Sequence, residues 1–187
     1  MSPEAKWLER LADEAVARGI TDVTYDYAET AIGRLLIARS DEGVCRVAFA
    51  EEQADSVLDE LAGGIGARVV RSKASLEEVN RGVSTYLEGA AVALDFPVDL
   101  ALTHSDFRRA VLARLRAVPR GAVVTYGELA GRTGHPRAAR AVGSACATNP
   151  VPIIVPCHRV VPAGGGVGSY GGGPDRKRFL LELEGAL

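Results

Sequence analysis

The chain has 187 residues, 47% of them hydrophobic and 25% charged, which is enough for one large domain or two small ones around a proper core and excludes a disordered composition. No apolar run can span a bilayer, the start Met1-Ser2-Pro3-Glu4-Ala5-Lys6-Trp7 lacks the basic-then-apolar order of a secretion signal, and Cys45, Cys146 and Cys157 are too irregularly spaced for a disulfide framework or a zinc site, so a cytoplasmic, metal-free protein with reduced thiols is expected. The net charge of −2 hides a split: residues 1–103 carry 10 Lys/Arg against 19 Asp/Glu (−9), and residues 104–187 carry 12 against 5 (+7). Such asymmetry is expected when one segment meets a polyanion, or when the two halves simply attract each other.

Residues 4–18 place Trp7, Leu8, Leu11, Ala15 and Val16 on one side of a helix, with Glu9, Arg10, Asp13 and Glu14 largely opposite and Gly19 as a stop. The apolar side is expected to pack on the body, with partner binding as the alternative. Residues 23–28, 32–39 and 44–50 read as strands, the last two joined by Ser40-Asp41-Glu42-Gly43 as a hairpin. A charged helix over 51–62, ended by Gly63-Gly64, and a short strand over 68–71 follow. Ser75-Leu76-Glu77-Glu78 has the form of a capping box opening a helix to about Glu88, and residues 92–96 are predicted as a strand before Pro97. Nothing in this α+β part clusters titratable residues, so it reads as scaffold. Residues 97–103 are the candidate linker, since charge balance and element type both change there.

Past the linker, Phe107, Val111, Leu112 and Leu115 line the inner face of a helix over 105–117, and Pro119-Arg120-Gly121 turns the chain. Thr125-Tyr126-Gly127-Glu128 is a second capping box, opening a helix that stops near Gly131-Arg132-Thr133-Gly134. Pro136 suits the first position of the next helix, 136–148, so that helix, glycine turn and helix form a helix-turn-helix pattern. Ala138, Ala139, Ala141, Gly143, Ser144 and Ala145 make this second helix smooth, with Arg137 and Arg140 as its long side chains. Such a helix can approach a nucleic-acid backbone while one arginine enters a groove; a packing helix with solvated arginines is the alternative.

Val155-Pro156-Cys157-His158-Arg159-Val160 sets a thiol beside an imidazole. Adjacent residues of a helical turn diverge, so a bridging water suits the pair better than direct contact. Pro156 fixes the approach to the turn, and the free N–H groups at its start favour a thiolate. The alternative is that Cys157 is one more small buried hydrophobe. Residues 151–155 form an apolar connector whose prolines exclude a central strand, and residues 163–173 form a loop with seven glycines, able to offer backbone groups to a flat ligand. Pro174-Asp175 starts the last helix; Phe179, Leu180 and Leu183 face inward, and Glu184 can return to orient His158 in a Cys-water-His-Glu relay.

Together these residues resemble the O6-alkylguanine-DNA alkyltransferase family. The resemblance rests on residues 119–121 and 124–130, Ala139-Arg140-Ala141-Val142-Gly143, the run from Asn149 to Val160, and Gly168-Ser169-Tyr170, in the expected order and spacing. The first half matches chiefly at Ile32-Gly33-Arg34-Leu35. The fold it implies is α+β: a helical extension over 1–22, a ribonuclease-H-like α/β scaffold over 23–97, and a mostly helical, winged-helix-like domain over 98–187 that binds DNA and carries the cysteine.

The implied activity is direct-reversal repair of double-stranded DNA, the irreversible transfer of an alkyl group from O6-alkylguanine, and from O4-alkylthymine, to Cys157 by a monomer that needs no cofactor. His158 would act as base through water with Glu184 orienting it, and Asn149 would brace the turn. Tyr126 would donate to guanine N3, and Arg140 would fill the gap left by a flipped nucleotide. Thr125, Arg137, Ala138 and Ala139 would meet the DNA. Backbone groups at Cys157, Val160, Tyr170 and Gly171 would read the guanine edge. The chain departs from the family pattern at Gly171, where serine is common, and at the bare Ala163-Gly164-Gly165-Gly166, which together imply a roomy pocket. Ser105-Asp106-Phe107-Arg108 also lacks the common Pro-Phe-Gln signature. The rival readings are a lesion-recognition protein or a helix-turn-helix regulator that transfers nothing, and, more remotely, a cysteine peptidase.

Overall fold

A computed structural model describes the backbone of residues 3–187 and the side chains from Trp7 onward. The chain forms two compact units that divide between Leu102 and Thr103. Among the described residues no helix is long and apolar enough to cross a membrane.

In the first unit, α1 (Pro3–Ala17) precedes β1 (Val23–Thr30), β2 (Gly33–Arg39), β3 (Val44–Phe49), α2 (Ala54–Gly64), β4 (Val69–Arg71) and α3 (Lys73–Leu87). The sheet order is β3-β2-β1-β4, antiparallel except for the β1/β4 pair. Leu35, Leu36, Ile37 and Ala38 of β2 are all buried, which is what a continuous apolar run produces when both sheet faces are covered. Leu36 and Ala38 join Cys45, Ala48, Val57 and Leu61 in one cluster that includes α2, and α3 packs on β1 and β2. The β2–β3 hairpin closes as predicted, with the Ser40 N–H donating to Gly43 O at 2.9 Å. Gly43 sits at φ 145°, and a Cβ there would lie 2.4 Å from the Pro97 backbone, so only glycine fits.

Three expectations for this unit fail, in whole or in part, for physical reasons. The helix α3 opens at Lys73 and not at Ser75, because extended Ser72 is the N-cap and accepts the Ser75 N–H at 3.2 Å; the Ser75 hydroxyl instead meets Thr24 Oγ1 at 2.8 Å. Residues 92–96 form no strand. Pairing with β3 occurs two residues later, where Val44 N–H donates to Pro97 O at 2.8 Å and Asp99 N–H to Val44 O at 3.0 Å, while Phe96 fills the space that Gly82 leaves open on α3. The apolar side of α1 packs only toward its end, where Ala15 and Val16 are half-buried; Trp7 is 55%, Leu8 54% and Leu11 49% exposed. The described part of that helix is held through buried Ala12 and the hydrogen bond from Ser72 Oγ to Asp13.

In the second unit, α4 (Asp106–Arg116), α5 (Tyr126–Arg132) and α6 (Ala139–Ala147) pack through Val111, Leu112, Leu115, Leu129, Ala130, Val142 and Ala145, all buried. The helix α6 starts three residues later than predicted. Residues 135–138 spend their backbone groups on a turn, the Ala138 N–H donating to His135 O at 2.8 Å, so Pro136 lies before the helix and not at its first position. A two-stranded parallel pair, β5 (Val124–Thr125) with β6 (Val160–Val161), and a last helix, α7 (Pro174–Leu183), complete the unit.

The core thiol of Cys45 gives a pH test of the first unit. Burial, with Asp99 adding, pushes it up to about 12, whereas an unfolded thiol ionises near 8.5. The native state therefore binds the extra proton: its stabilising effect is full below about pH 8.5 and is lost as pH rises toward 12, by up to about 1.4 kcal/mol per pH unit. Thermal midpoints should drop between about pH 8.5 and 10.5, and Cys45→Ala should flatten that drop. Equal slopes in the two proteins would remove Cys45 as the cause.

Candidate active site

The parallel pairing of Val124 with Val160 and Thr125 with Val161 sets the start of α5 beside the residues that follow the cysteine turn. The predicted capping box is formed: Thr125 Oγ1 accepts the Glu128 N–H at 3.1 Å and Glu128 Oε2 accepts the Thr125 N–H at 2.7 Å. This fixes Tyr126 at the first position of α5, half-buried. Burial raises its hydroxyl above the ordinary range, with the Cys146 and Cys157 sulfurs adding to the effect.

Residues 149–156 carry the chain from α6 to the cysteine. Every one of residues 150–160 is buried, and Ile153 takes φ 75°, a left-handed conformation that a β-branched residue adopts only when its surroundings impose it. Asn149 is the surrounding that matters. Its Oδ1 accepts the Val151 N–H at 3.1 Å, and its Nδ2 donates to Val155 O at 2.9 Å and to Cys157 Sγ at 3.2 Å. One side chain thus ties both ends of the connector and points a donor at the sulfur.

Cys157, His158 and Arg159 form a single 3₁₀ turn. The Cys157 thiol is 5% exposed, and burial pushes it up to about 11; the Asn149 hydrogen bond and the Lys177 charge only partly offset this. The turn's backbone N–H does favour a thiolate, as expected, but burial outweighs it. The sulfur holds its proton until something takes it. His158 makes no hydrogen bond to Cys157, as its diverging direction predicted; its Nε2 lies 2.7 Å from Glu184 Oε1 and its buried Nδ1 has no partner. Burial holds the imidazole below its ordinary range, against the pull of Glu184, so the ring is neutral at pH 7. Facing a carboxylate, Nε2 carries the hydrogen and Nδ1 presents a bare lone pair. Tyr170 meets the same ring edge to face, with centroids 6.4 Å apart.

Two charged residues to which the sequence reading gave no role belong to this site. Arg159 donates through Nε to Glu184 Oε2 at 2.9 Å, through Nη2 to Oε1 at 3.0 Å, and through Nη1 to Val118 O at 2.5 Å. Lys177, fully buried on α7, donates to Val160 O at 2.6 Å and Ser169 O at 3.2 Å, tying the glycine loop to the cysteine turn. The signal was there: Lys177, Leu180, Leu181 and Glu184 recur at the spacing of one helical face, and all four are buried.

The structure thus brings together Cys157, His158, Asn149, Glu184 and Val160, with Tyr170 against the imidazole and Tyr126 within electrostatic reach of the sulfur. Arg137 and Arg140 are exposed around the start of α6, and Ala138 and Ala139 are half-buried there; no contact joins them to the thiol. Gly171 is exposed, with open space where a side chain would stand.

The helical second unit thus holds a buried thiol bonded by Asn149, a His158–Glu184 pair on and behind the same turn, and a helix, α6, with exposed arginines around its start. The chain belongs to the 6-O-methylguanine DNA methyltransferase family: residues 106–186 match its DNA binding domain and residues 23–100 its ribonuclease-like domain. A methylated-DNA–protein-cysteine methyltransferase of Methanosarcina acetivorans is 36% identical over 87% of this chain and 98% of its own length. One from Mycobacterium bovis is 52% identical over 48% of this chain and 54% of its own. A crystal structure of Mycobacterium tuberculosis OGT in complex with DNA superposes with a TM-score of 0.75 at 33% identity, covering 87% of this chain and 93% of that one.

Removing the brace should be felt at once. Asn149→Ala leaves the Val155 carbonyl and the Val151 N–H without their partner, and unfolding in urea should show a loss of about 1–3 kcal/mol. An unchanged midpoint would mean that the connector holds itself.

Proposed function

We propose that Cys157 accepts an alkyl group directly from O6-alkylguanine, and from O4-alkylthymine, in double-stranded DNA. The observation that carries this reading is the buried thiol held by Asn149 next to a neutral imidazole whose free Nδ1 is its only unused acceptor. The alkyl carbon is inaccessible inside a duplex, so the nucleotide must rotate out, at a few kcal/mol that is lower for a badly paired base. Arg140 fills the vacated place, and Thr125, Arg137, Ala138 and Ala139 lie against the DNA around it.

In the pocket, the backbone at Cys157, Val160, Tyr170 and Gly171 reads the guanine edge. The thiol proton passes through a water to His158 Nδ1. The sulfur then forms its bond to the alkyl carbon as the carbon–O6 bond breaks, and the electron pair leaves with guanine. Tyr126 donates a hydrogen bond to N3, which offsets the charge on the departing base; guanine takes up one proton and His158 releases one, so the sum is thiol plus alkylguanine to thioether plus guanine. The displacement balances without any cofactor. A thioether does not hydrolyse, so each molecule acts once. Gly171 and the bare glycine loop leave room for groups larger than methyl.

The sheet order β3-β2-β1-β4 with its parallel β1/β4 edge supports a ribonuclease-H-like first domain over 23–97 after an extension over 1–22, and α5, α6 and the β5/β6 pair support a winged-helix-like second domain over 98–187. The protein acts as a cytoplasmic monomer.

Duplex DNA with an isotopically labelled O6-methyl group tests the reading. The label is expected on the tryptic peptide containing Cys157, with one equivalent per protein and none in Cys157→Ser; label that stays on DNA bound tightly by the wild type would favour lesion recognition without transfer. Arg140→Ala should slow transfer from duplex DNA by about tenfold, since it withdraws one stabilising contact from the flipped state, and should change the rate on single-stranded DNA little. Equal slowing on both substrates would remove Arg140 from the flipping step.

A further inference from the structure

The Glu184 carboxylate has no exposed surface, and ionised carboxylates are not left alone in such places. Its oxygens are occupied with unusual completeness. Arg159 places one N–H on each, at 2.9 and 3.0 Å, the Gly121 N–H adds a contact to Oε2 at 3.3 Å, and His158 Nε2 takes the remaining position on Oε1. The guanidinium is itself pinned, since its third donor reaches Val118 O. An arginine keeps its charge at any working pH, and its fork matches a carboxylate in one orientation only.

We infer that Arg159 is the positioning residue of the relay: by holding Glu184 ionised and in one rotation, it forces the hydrogen of His158 onto Nε2 and so keeps Nδ1 open to receive the thiol proton. This inference rests on the proposed transfer to Cys157 and adds a residue that never touches the substrate.

The argument is one of proton placement. Without the arginine, a buried carboxylate and a buried imidazole would share an additional proton at pH values where they now do not. If that proton resided on the imidazole, both ring nitrogens would be occupied. If it resided on Glu184, the acid would donate to Nε2 and the ring hydrogen would move to Nδ1. Either arrangement closes the acceptor. The groups facing His158 are Cys157 on its own turn, Tyr170 from the glycine loop, Glu184 after α7, Lys177 on α7, and Arg159. Of these, Glu184 alone favours the protonated ring, while Arg159 and Lys177 oppose it. Removing Arg159 therefore raises the pH at which the pair gives up its shared proton.

The experiment pairs two readings on full-length protein. The imidazole Cε1–H resonance of His158 is followed by NMR from about pH 5 to 9 without DNA, and single-turnover transfer from O6-methylguanine duplex is timed over the same range. Arg159→Gln should move the midpoint of the imidazole titration up by about one pH unit or more and move the acid limb of the rate with it, so that transfer falls about tenfold near pH 6.5 and recovers toward the wild-type rate near pH 9. Arg159→Lys keeps the charge but loses the fork, and its midpoint should rise by about half as much. A rate lowered by the same factor at every pH, with the titration unmoved in both variants, would reduce Arg159 to a packing residue and overturn the inference. Should the Gln variant fail to fold, the Lys variant decides, an unmoved midpoint there having the same force. If wild-type protein transfers no label to Cys157, the proposed function fails while the imidazole titration still reports on Arg159.

Discussion

A negative charge with no access to water dictates the arrangement of the second unit. Glu184 is tolerable only because His158, Arg159 and the Gly121 N–H all converge on it. Those three partners come from two separate stretches, the cysteine turn and the turn before β5, so satisfying one carboxylate fixes the end of α7 against both. A buried ion pair of this kind is weak evidence for stability, because desolvation consumes much of what the pairing provides. The fork of Arg159 fixes the geometry of the carboxylate, with both oxygens engaged at 2.9 and 3.0 Å.

The rest of the site follows from that anchor. With His158 held from behind by Glu184, the ring nitrogen left without a hydrogen-bond partner is Nδ1. Asn149 supplies a second point of reference by bonding the sulfur and the connector backbone together, and the β5/β6 register supplies a third by setting the residues before Tyr126 beside Val160 and Val161. Lys177 extends the scheme to the glycine loop, whose carbonyl at Ser169 it shares with that of Val160.

Much of this was legible in the chain because the informative residues act locally. The Thr125 capping box, the Ser40–Gly43 hairpin and Pro174 at the start of α7 are short-range devices whose partners lie within a few positions. The failures are those of tertiary context. Ser72 and Ser75 are both competent N-caps, and only the presence of Thr24 opposite Ser75 decides between them. Residues 92–96 have strand composition, but the free edge of β3 meets the chain at Pro97 and beyond. Helix N–H groups favour a thiolate in isolation; nothing in a sequence states that the sulfur will be buried deeply enough to reverse the balance. In the site, the pairing of Glu184 with His158 and the bracing of the turn by Asn149 were readable. Arg159 and Lys177 were not, because long charged side chains are usually solvated and are read that way unless a helical face of apolar neighbours is noticed around them.

The division of charge between the units acts at a longer range than any contact. A −9 segment and a +7 segment each belong mainly to their own compact unit, so a phosphate polyanion attracts the second unit and repels the first. The first unit thus needs no DNA chemistry of its own to contribute: its repulsion opposes encounters made through it, an influence that added salt would progressively erase.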